Sequence, residues 1–320
     1  MFVQKCGCTL TSNCRQSSIP ARWSLVTKLR TLVEPLLRIP DEFRRFDTTP
    51  VGATRDLGLD AAAQRVLLDA GLPHVGDGDE VLFDSLDLST ISLYLSARSA
   101  RRDAMRFWQR SLRRIASGPV GYRVEVRAQC PLPRHSGDCI YQVAPEAGGR
   151  TPVVTSERRG VALGAVSCWV QQRPEPLPPV LAELAMAYAD VDFYYLPTFL
   201  SLNADFVERE RIGDCAATAR AILDTAVKAG FEARHAYGFI LAVPYSSTHT
   251  WTEIRLEGRW FAVDPLLPKA MRAWGITKGD EWPATLSPLG VYRRVATEQI
   301  RLAWHGQVPC HTWLPTEIAK

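Results

Sequence analysis

A helical spacing of apolar residues dominates the first third of the chain. Leucine and valine recur at i, i+3 and i+4 over 29–37, which predicts an amphipathic helix. The segment 60–71 predicts a second helix, which begins at a capping aspartate and ends at a glycine. A third helix is predicted over 91–115, before a Gly-Pro pair. We therefore expect a mainly helical region at 26–117, preceded by a flexible tail at 1–25.

Strand-like alternation replaces the helical spacing after the Gly-Pro pair. Three segments, 122–128, 140–143 and 164–170, have the pattern of strands. The Pro-rich segment 173–179 is the best candidate for a boundary. These features predict a β-rich section with a Pro-rich joint at 118–177.

The last part of the chain, 178–320, begins with two predicted helical stretches, about 180–206 and 214–229. Three strand-like runs follow, up to about residue 265. Beyond that point the pattern is mixed and predicts no element. We treat this part as one domain.

Composition restricts the class of protein more than its activity. Apolar residues make up 46% and charged residues 22% of the 320, as in an ordinary soluble globular protein. No apolar run is long enough to span a membrane, and the start of the chain lacks a signal-peptide pattern. We therefore expect a cytoplasmic protein without a membrane partner. A net charge of +4 does not indicate nucleic-acid binding.

The eight cysteines are the first residues to consider as disulfide partners or metal ligands. In a cytoplasmic chain reduced thiols are the default, so we expect no disulfide framework. Three N-terminal cysteines, Cys6, Cys8 and Cys14, lack a nearby fourth ligand, and we assign them to the tail. Cys130, His135 and Cys139 make only a partial metal site in a Pro-rich loop. We therefore expect no metal.

Cys215 stands at the start of the clearest helix in the chain. The helix has an apolar face, Asp214 as its predicted N-cap and Gly230 as its predicted end. A thiol in the first turn faces unpaired backbone N–H groups and the positive end of the helix dipole, and both favour the thiolate. Taken alone, Cys215 also fits an inert core thiol. Cys139 follows the same Gly-Asp pair, but strand-like residues come after it, so we do not expect it to be a nucleophile.

A predicted hairpin supplies partners for the Cys215 thiol. The strand that begins at His249 runs into Glu257-Gly258, a good two-residue turn, and the return strand ends at Asp264. With that loop length Asp264 pairs with Trp251, so His249 and Asp264 are diagonal neighbours on one face. A general base and an orienting carboxylate are what a thiol nucleophile needs. The Cys215 backbone N–H would be one oxyanion donor, and the sequence does not name a second.

Three motifs in this order resemble the core of the transglutaminase-like superfamily: Gly213-Asp-Cys, His249-Thr-Trp-Thr-Glu and Trp260-Phe-Ala-Val-Asp264-Pro. The family typically shows Gly-x-Cys, His-Ala-Trp-x-Glu and Trp-x-x-Val-Asp-Pro, so Thr250 is a minor departure. The resemblance covers about 178–270. It implies an α+β, papain-like fold in which a Cys-bearing helix packs on an antiparallel sheet that carries the His and Asp. It also implies thiol acyl chemistry and no cofactor.

Three further residues are predicted to line or support the cleft. Asp214 caps the nucleophile helix. Trp251 shares the face of His249 and would shield it from solvent. His235 lies in a neighbouring predicted strand, where it fits a structural role as well as a place in the cleft.

An arginine-rich helical segment offers a candidate docking surface. The simpler interpretation is that these arginines form the solvent-exposed face of a helix and have no partner protein. Its functional interpretation is electrostatic attraction of an acidic partner, such as an acyl or peptidyl carrier protein. No nucleic-acid motif accompanies it. The arginines are Arg98, Arg101, Arg102, Arg106, Arg110, Arg113 and Arg114.

The same triad serves more than one reaction. It would attack a carbonyl, expel an amine or thiol and hold a thioester; water then gives a peptidase or amidase, and an amine acceptor gives an amide bond. The favoured interpretation is a thiol acyltransferase that acts on a carrier-bound or small-peptide acyl donor, similar to transglutaminase-like proteins of bacterial natural-product biosynthesis. The alternatives are an intracellular cysteine peptidase and a non-catalytic interaction module.

Overall fold

A computed structural model describes residues 19–96, 100–132, 134–149, 151–279 and 281–319. The first helix begins at Ile19, inside the segment that was predicted to be a tail. Cys6, Cys8 and Cys14 lie outside the described residues. Within the described part, no helix combines the length and apolar character needed to cross a membrane.

The N-terminal region contains five α-helices and a small three-stranded sheet within the described residues. The prediction of one helix over 91–115 was wrong. Ser96 has a φ of 58°, which ends the preceding helix because no right-handed helix contains such a residue. The elements are α1 (Ile19–Leu36), β1 (Phe46–Thr48), α2 (Pro50–Leu57), α3 (Ala61–Asp69), β2 (His74–Val75), β3 (Leu82–Asp84), α4 (Ser85–Tyr94) and α5 (Ala100–Ser117).

The middle of the chain contains the predicted strands and then a series of short elements. The single helical stretch predicted over 180–206 was wrong, because an aromatic strand segment and Pro197 divide it. The elements are β4 (Val120–Gln129), β5 (Cys139–Val143), β6 (Val153–Thr155), β7 (Val161–Val170), β8 (Glu175–Pro176), α6 (Pro179–Met186), β9 (Asp192–Phe193), α7 (Thr198–Ser201), α8 (Ala204–Glu210) and β10 (Ile212–Gly213).

The helix that begins at Cys215 and the predicted hairpin follow, and further strands occupy the part of the chain whose pattern predicted no element. The elements are α9 (Cys215–Lys228), β11 (Glu232–Ile240), β12 (Tyr245–Leu256), β13 (Arg259–Val263), α10 (Leu266–Ala273), β14 (Leu286–Ser287), β15 (Tyr292–Ala296), β16 (Ala303–His305), β17 (Val308–Pro309) and β18 (His311–Ile318).

One antiparallel sheet joins the middle and the end of the chain. Its strand order is β15-β11-β12-β18-β4-β7, and β13 pairs with β12 beside β18. Strand β18 pairs with both β12 and β4. The sheet therefore runs across the Pro-rich segment at 173–179, and the division into domains stays a prediction. Helix α9 packs on β11 and β12. The mixed helix and antiparallel-sheet architecture confirms the α+β fold class.

The N-terminal helices share the core of this sheet. A continuous apolar cluster extends from Leu29 in α1 to Leu314 in β18. Two polar contacts support the packing: the Tyr94 hydroxyl donates to the Phe193 carbonyl at 3.0 Å, and Arg102 donates to the Trp274 carbonyl at 2.7 Å. Tyr94, Phe193 and Trp274 are themselves buried at this junction. Each aromatic side chain removes a large apolar area from contact with water, so the junction contributes strongly to stability.

A second, smaller sheet covers one end of the large one. Its order is β17-β16-β5-β6, and all its pairings are antiparallel. A separate apolar cluster lies beneath it and includes Cys130, Cys139 and Tyr141.

Candidate active site

Cys215 is the first residue of α9, and Asp214 caps that helix as predicted. The Asp214 carboxylate accepts hydrogen bonds from the backbone N–H groups of Ala216 and Ala217 at 3.0 and 2.9 Å. Ser201 donates to its other oxygen at 2.5 Å. Burial raises the pKa of Asp214, and these donors oppose the rise. The cap fixes the first turn of the helix and with it the half-buried thiol.

Gly213 allows the helix to start where it does. It lies in β10, which pairs in parallel with β9. A Cβ at this position would lie 2.6 Å from the Thr218 hydroxyl and 3.0 Å from a Val207 methyl group. The close approach of the first helical turn explains why a glycine stands two residues before the thiol.

The hairpin that carries His249 and Asp264 has the predicted register. Thr252 pairs with Val263, so the next residues outward along the two strands are Trp251 and Asp264. The turn residues Glu257 and Gly258 both have positive φ, 51° and 81°, as a tight two-residue hairpin turn requires.

His249 connects the carboxylate to the thiol. Its Nε2 lies 2.7 Å from Asp264 Oδ2, and each side chain is 6% exposed. Cys215 also lies close enough to the ring to interact with it electrostatically. Burial lowers the pKa of His249, but Asp264 and then Cys215 outweigh that effect and raise it to about 10. The imidazole is therefore cationic at neutral pH.

Tyr292, in β15, is a member of the site that the sequence did not indicate. Its hydroxyl donates to Asp264 Oδ2 at 2.5 Å, and the backbone N–H of Leu267 donates to the other oxygen at 3.2 Å. Burial and the Asp264 charge raise the pKa of Tyr292 well above its ordinary value, so it stays protonated. Asp264 is thus held by three donors, one of which is His249.

Trp251 lies beside His249 on the same sheet face. The two rings are nearly parallel, at 15°, with centroids 6.1 Å apart, and the indole is 1% exposed. Its Nε1 donates to Glu253 at 3.3 Å. Arg234 and Arg294 contact the same buried carboxylate at 2.6 and 3.2 Å. This ion-pair network fixes the indole and covers one side of the imidazole.

Comparison with known proteins shows a similarity to one protein superfamily. Residues 188–265 match the transglutaminase-like superfamily, and this segment contains Cys215, His249 and Asp264. The chain contains a transglutaminase-like core. Such a core supports a cysteine-based enzyme in general, and it does not distinguish acyl transfer from peptide hydrolysis.

A solved structure and the curated proteins add little to this assignment. A crystal structure of a candidate cysteine protease from Cytophaga hutchinsonii is 14% identical; the similarity covers 63% of this chain and 89% of that one, with a TM-score of 0.33. This similarity is too low to carry an argument about the transglutaminase-like core. No curated protein matches the chain.

His235 lies in β11 opposite Thr252 and is 8% exposed. Burial and the nearby Arg220 lower its pKa, and Glu298 opposes them. The charged groups that shift the pKa of His235 are therefore Arg220 and Glu298, and not Cys215, His249 or Asp264. Its place in the cleft stays a prediction.

The arginine-rich segment is only partly available as a surface. Arg98 lies outside the described residues, as does the side chain of Arg101. Arg102 differs from the expectation: it is 7% exposed and donates to the carbonyl of Trp274, so it ties α5 to the end of α10. The reason is its position on the apolar stripe of the helix. Four others are exposed: Arg106, Arg110, Arg113 and Arg114. Of these, Arg106 pairs with Asp103 at 3.5 Å and Arg113 pairs with Glu281 at 2.8 Å.

Proposed function

We propose that this protein is a thiol acyltransferase that forms an amide bond through an acyl-Cys215 thioester. The observation that carries the proposal is the 2.7 Å hydrogen bond between His249 and Asp264, beside a Cys215 that interacts electrostatically with the same imidazole. A nucleophile, a proton carrier and a carboxylate that orients it are the parts of a covalent acyl-transfer site.

The proposed reaction has two steps. The Cys215 thiolate attacks the carbonyl of a thioester donor, and the His249 imidazolium gives its proton to the departing thiolate, which leaves as a thiol. His249, now neutral, takes a proton from an incoming amine, which attacks the acyl-Cys215 carbonyl and releases the Cys215 thiolate. Asp264 and Tyr292 hold the imidazole through both steps. The backbone N–H of Cys215 would stabilise the tetrahedral oxyanion.

The surroundings of the triad support an amine rather than water as acceptor. Counted as whole residues, Trp251, Asp264 and His249 are 1%, 5% and 6% exposed, and Tyr292 closes the site behind the carboxylate. A site with little water protects a thioester from hydrolysis while a bound amine reacts.

The exposed arginines of α5 support a carrier-bound donor. Arg106, Arg110 and Arg114 are exposed on a helix that Arg102 holds against the end of α10. A basic patch of this kind would attract an acidic carrier protein at a rate that falls with ionic strength. The carrier is part of the proposal and rests on this patch.

The test compares acceptors on one donor. A carrier-bound acyl thioester and its small-molecule counterpart are each incubated with the enzyme, with and without a primary amine, and the amide and free acid are separated by liquid chromatography and mass spectrometry. We expect amide to exceed acid once amine is present, and Cys215→Ser and His249→Gln to form neither. Cys168→Ser, a buried thiol in β7, is the matched control and should keep full activity.

Two other outcomes would replace the proposal. Free acid as the sole product, together with cleavage of peptides, would make the protein a cysteine peptidase. Absence of amide and acid from both donors, combined with a Cys215 thiol that alkylates no faster than Cys310, would indicate a non-catalytic module.

A further inference from the structure

Four potential metal ligands meet in the smaller sheet, away from the triad. They are Cys130, His135, Cys139 and His305, and their ligand atoms all lie within 4.8 Å of one another. The first three are close in sequence. The fourth comes from the far end of the chain, and only the fold brings it to the others.

The elements of the smaller sheet place these residues. Cys130 directly follows β4, and Cys139 is the first residue of β5. His305 is the last residue of β16, which pairs with β5 so that His305 lies opposite Tyr141. His135 lies in the loop between β4 and β5, and its ring contacts that of His305 with centroids 4.7 Å apart.

Both histidines have a ring nitrogen that is available to a metal ion. His135 Nδ1 lies 2.9 Å from the Ser136 carbonyl, so it must carry the proton and Nε2 keeps its lone pair. That Nε2 lies 3.2 Å from Cys139 Sγ. His305 Nε2 is buried without a hydrogen-bond partner. A buried polar atom without a partner is costly, and a bound cation would satisfy it.

We propose that Cys130, His135, Cys139 and His305 bind one Zn²⁺ ion in a closed tetrahedral site. Two thiolates and two imidazoles are a ligand set typical of structural zinc. Zn–S and Zn–N bonds of about 2.3 and 2.0 Å put tetrahedral ligand atoms roughly 3.3–3.8 Å apart, so the observed cluster needs only a small contraction. Binding releases the two thiol protons, and the complex of a dication with two thiolates is neutral.

The proposed ion would crosslink parts of the chain that are far apart in sequence. It would link the end of β4 to β5 and β16 of the smaller sheet. The short hairpin β16–β17 leads into β18, which pairs with β12, the strand of His249. The four ligands leave no open coordination position, so the role is structural, and the ion takes no part in the acyl chemistry.

The experiment uses the 320-residue chain without a histidine tag, expressed with added zinc and purified under reducing conditions. Inductively coupled plasma mass spectrometry and native mass spectrometry measure zinc per chain. We expect one zinc in the wild type and loss of zinc in Cys139→Ser and His305→Gln. Cys168→Ser is the matched control, because its thiol lies opposite Tyr122, toward the other end of β4 from Cys130. It should keep one zinc.

A second measurement does not depend on how well the variants fold. Wild-type protein stripped by a chelator is titrated with Co²⁺, and the intense visible absorption of tetrahedral, thiolate-bound cobalt should appear with an end point of one per chain. Alkylation of Cys130 and Cys139 should be blocked by the metal and restored by chelator. Reduced wild type that contains no zinc and gives no cobalt absorption would overturn the proposal, as would a native Cys130–Cys139 disulfide. Retention of zinc in folded His305→Gln would overturn the four-ligand set.

Discussion

The charge of Asp264 is predicted to control the protonation of His249, and Asp264→Asn tests this with little change in shape. In the native protein burial lowers the pKa of His249, and Asp264 together with Cys215 raises it to about 10. The asparagine keeps a hydrogen-bonding side chain 2.7 Å from Nε2 but removes the negative charge. We expect the pKa of His249 to return to near its ordinary value of 6.5 in this variant.

The consequence is a change in how stability depends on pH. His249 is more basic in the folded than in the unfolded protein, so its contribution is fully present below pH 6.5 and is lost as pH rises through about 10. The rise of its pKa corresponds to roughly 5 kcal/mol, of which roughly 3–4 kcal/mol is lost between about pH 6.5 and pH 9.5. The stability advantage of wild type over Asp264→Asn should shrink by that amount across this range.

The assay is urea unfolding of both proteins at these two pH values. Other groups titrate in the same range, but they are common to both proteins and cancel in the difference. Asp60→Asn, which exchanges one good helix cap for another at the start of α3, is the control and should follow wild type. At pH 7.5 alkylation of Cys215 by iodoacetamide should slow roughly tenfold in Asp264→Asn, because about nine in ten of its imidazoles are then neutral. Equal pH dependence of wild type and Asp264→Asn would refute the reasoning.

Three other substitutions test the supports of the site. Asp214→Ala removes the cap of α9 and should lower the free energy of unfolding by about 1–2 kcal/mol in urea, whereas Asp214→Asn should lose less. Tyr292→Phe removes the hydroxyl that donates to Asp264; it should lower kcat/KM roughly tenfold with little change in the urea midpoint, and an unchanged kcat/KM would contradict the positioning role. Gly238→Ala places a Cβ 2.0 Å from the Arg293 carbonyl oxygen, so β15 and Tyr292 must move; Tm should fall by several degrees and activity with it, and a native Tm would show that β15 does not approach so closely.

The sequence predicted the parts of the site that have local causes. The cap at Asp214, the helix start at Cys215 and the turn at Glu257-Gly258 each follow from a few neighbouring residues. The register of the hairpin follows from the length of that turn. These features placed the three triad residues on the right elements before any tertiary contact was known.

The residues that the sequence missed depend on long-range pairing. Tyr292 reaches Asp264 because β15 joins the edge of the sheet beside β11, and His305 reaches Cys139 because β16 pairs with β5. Both strands lie in a part of the chain whose apolar pattern predicted no element. The separation of these residues along the sequence gave no indication that either pair would be in contact.

Arg102 is a different case, because the signal was present. It precedes Met105 and Trp108 at a spacing of three residues, on the stripe that α5 buries. The charge of the residue suggested an exposed position, while its place on the helix indicated a buried one. A guanidinium can occupy such a position when a carbonyl, here that of Trp274, accepts its hydrogen bond.

The most direct test of the proposed chemistry is intact-protein mass spectrometry of the acyl-enzyme. Wild type and Cys215→Ala are each mixed with an excess of acyl thioester, quenched in acid within seconds and digested to locate any adduct. We predict one acyl group on the Cys215 peptide of wild type, none on Cys215→Ala, and loss of the adduct on addition of amine with formation of the amide. Amide product from Cys215→Ala, or an adduct on a different cysteine, would contradict the assignment of Cys215 as the nucleophile.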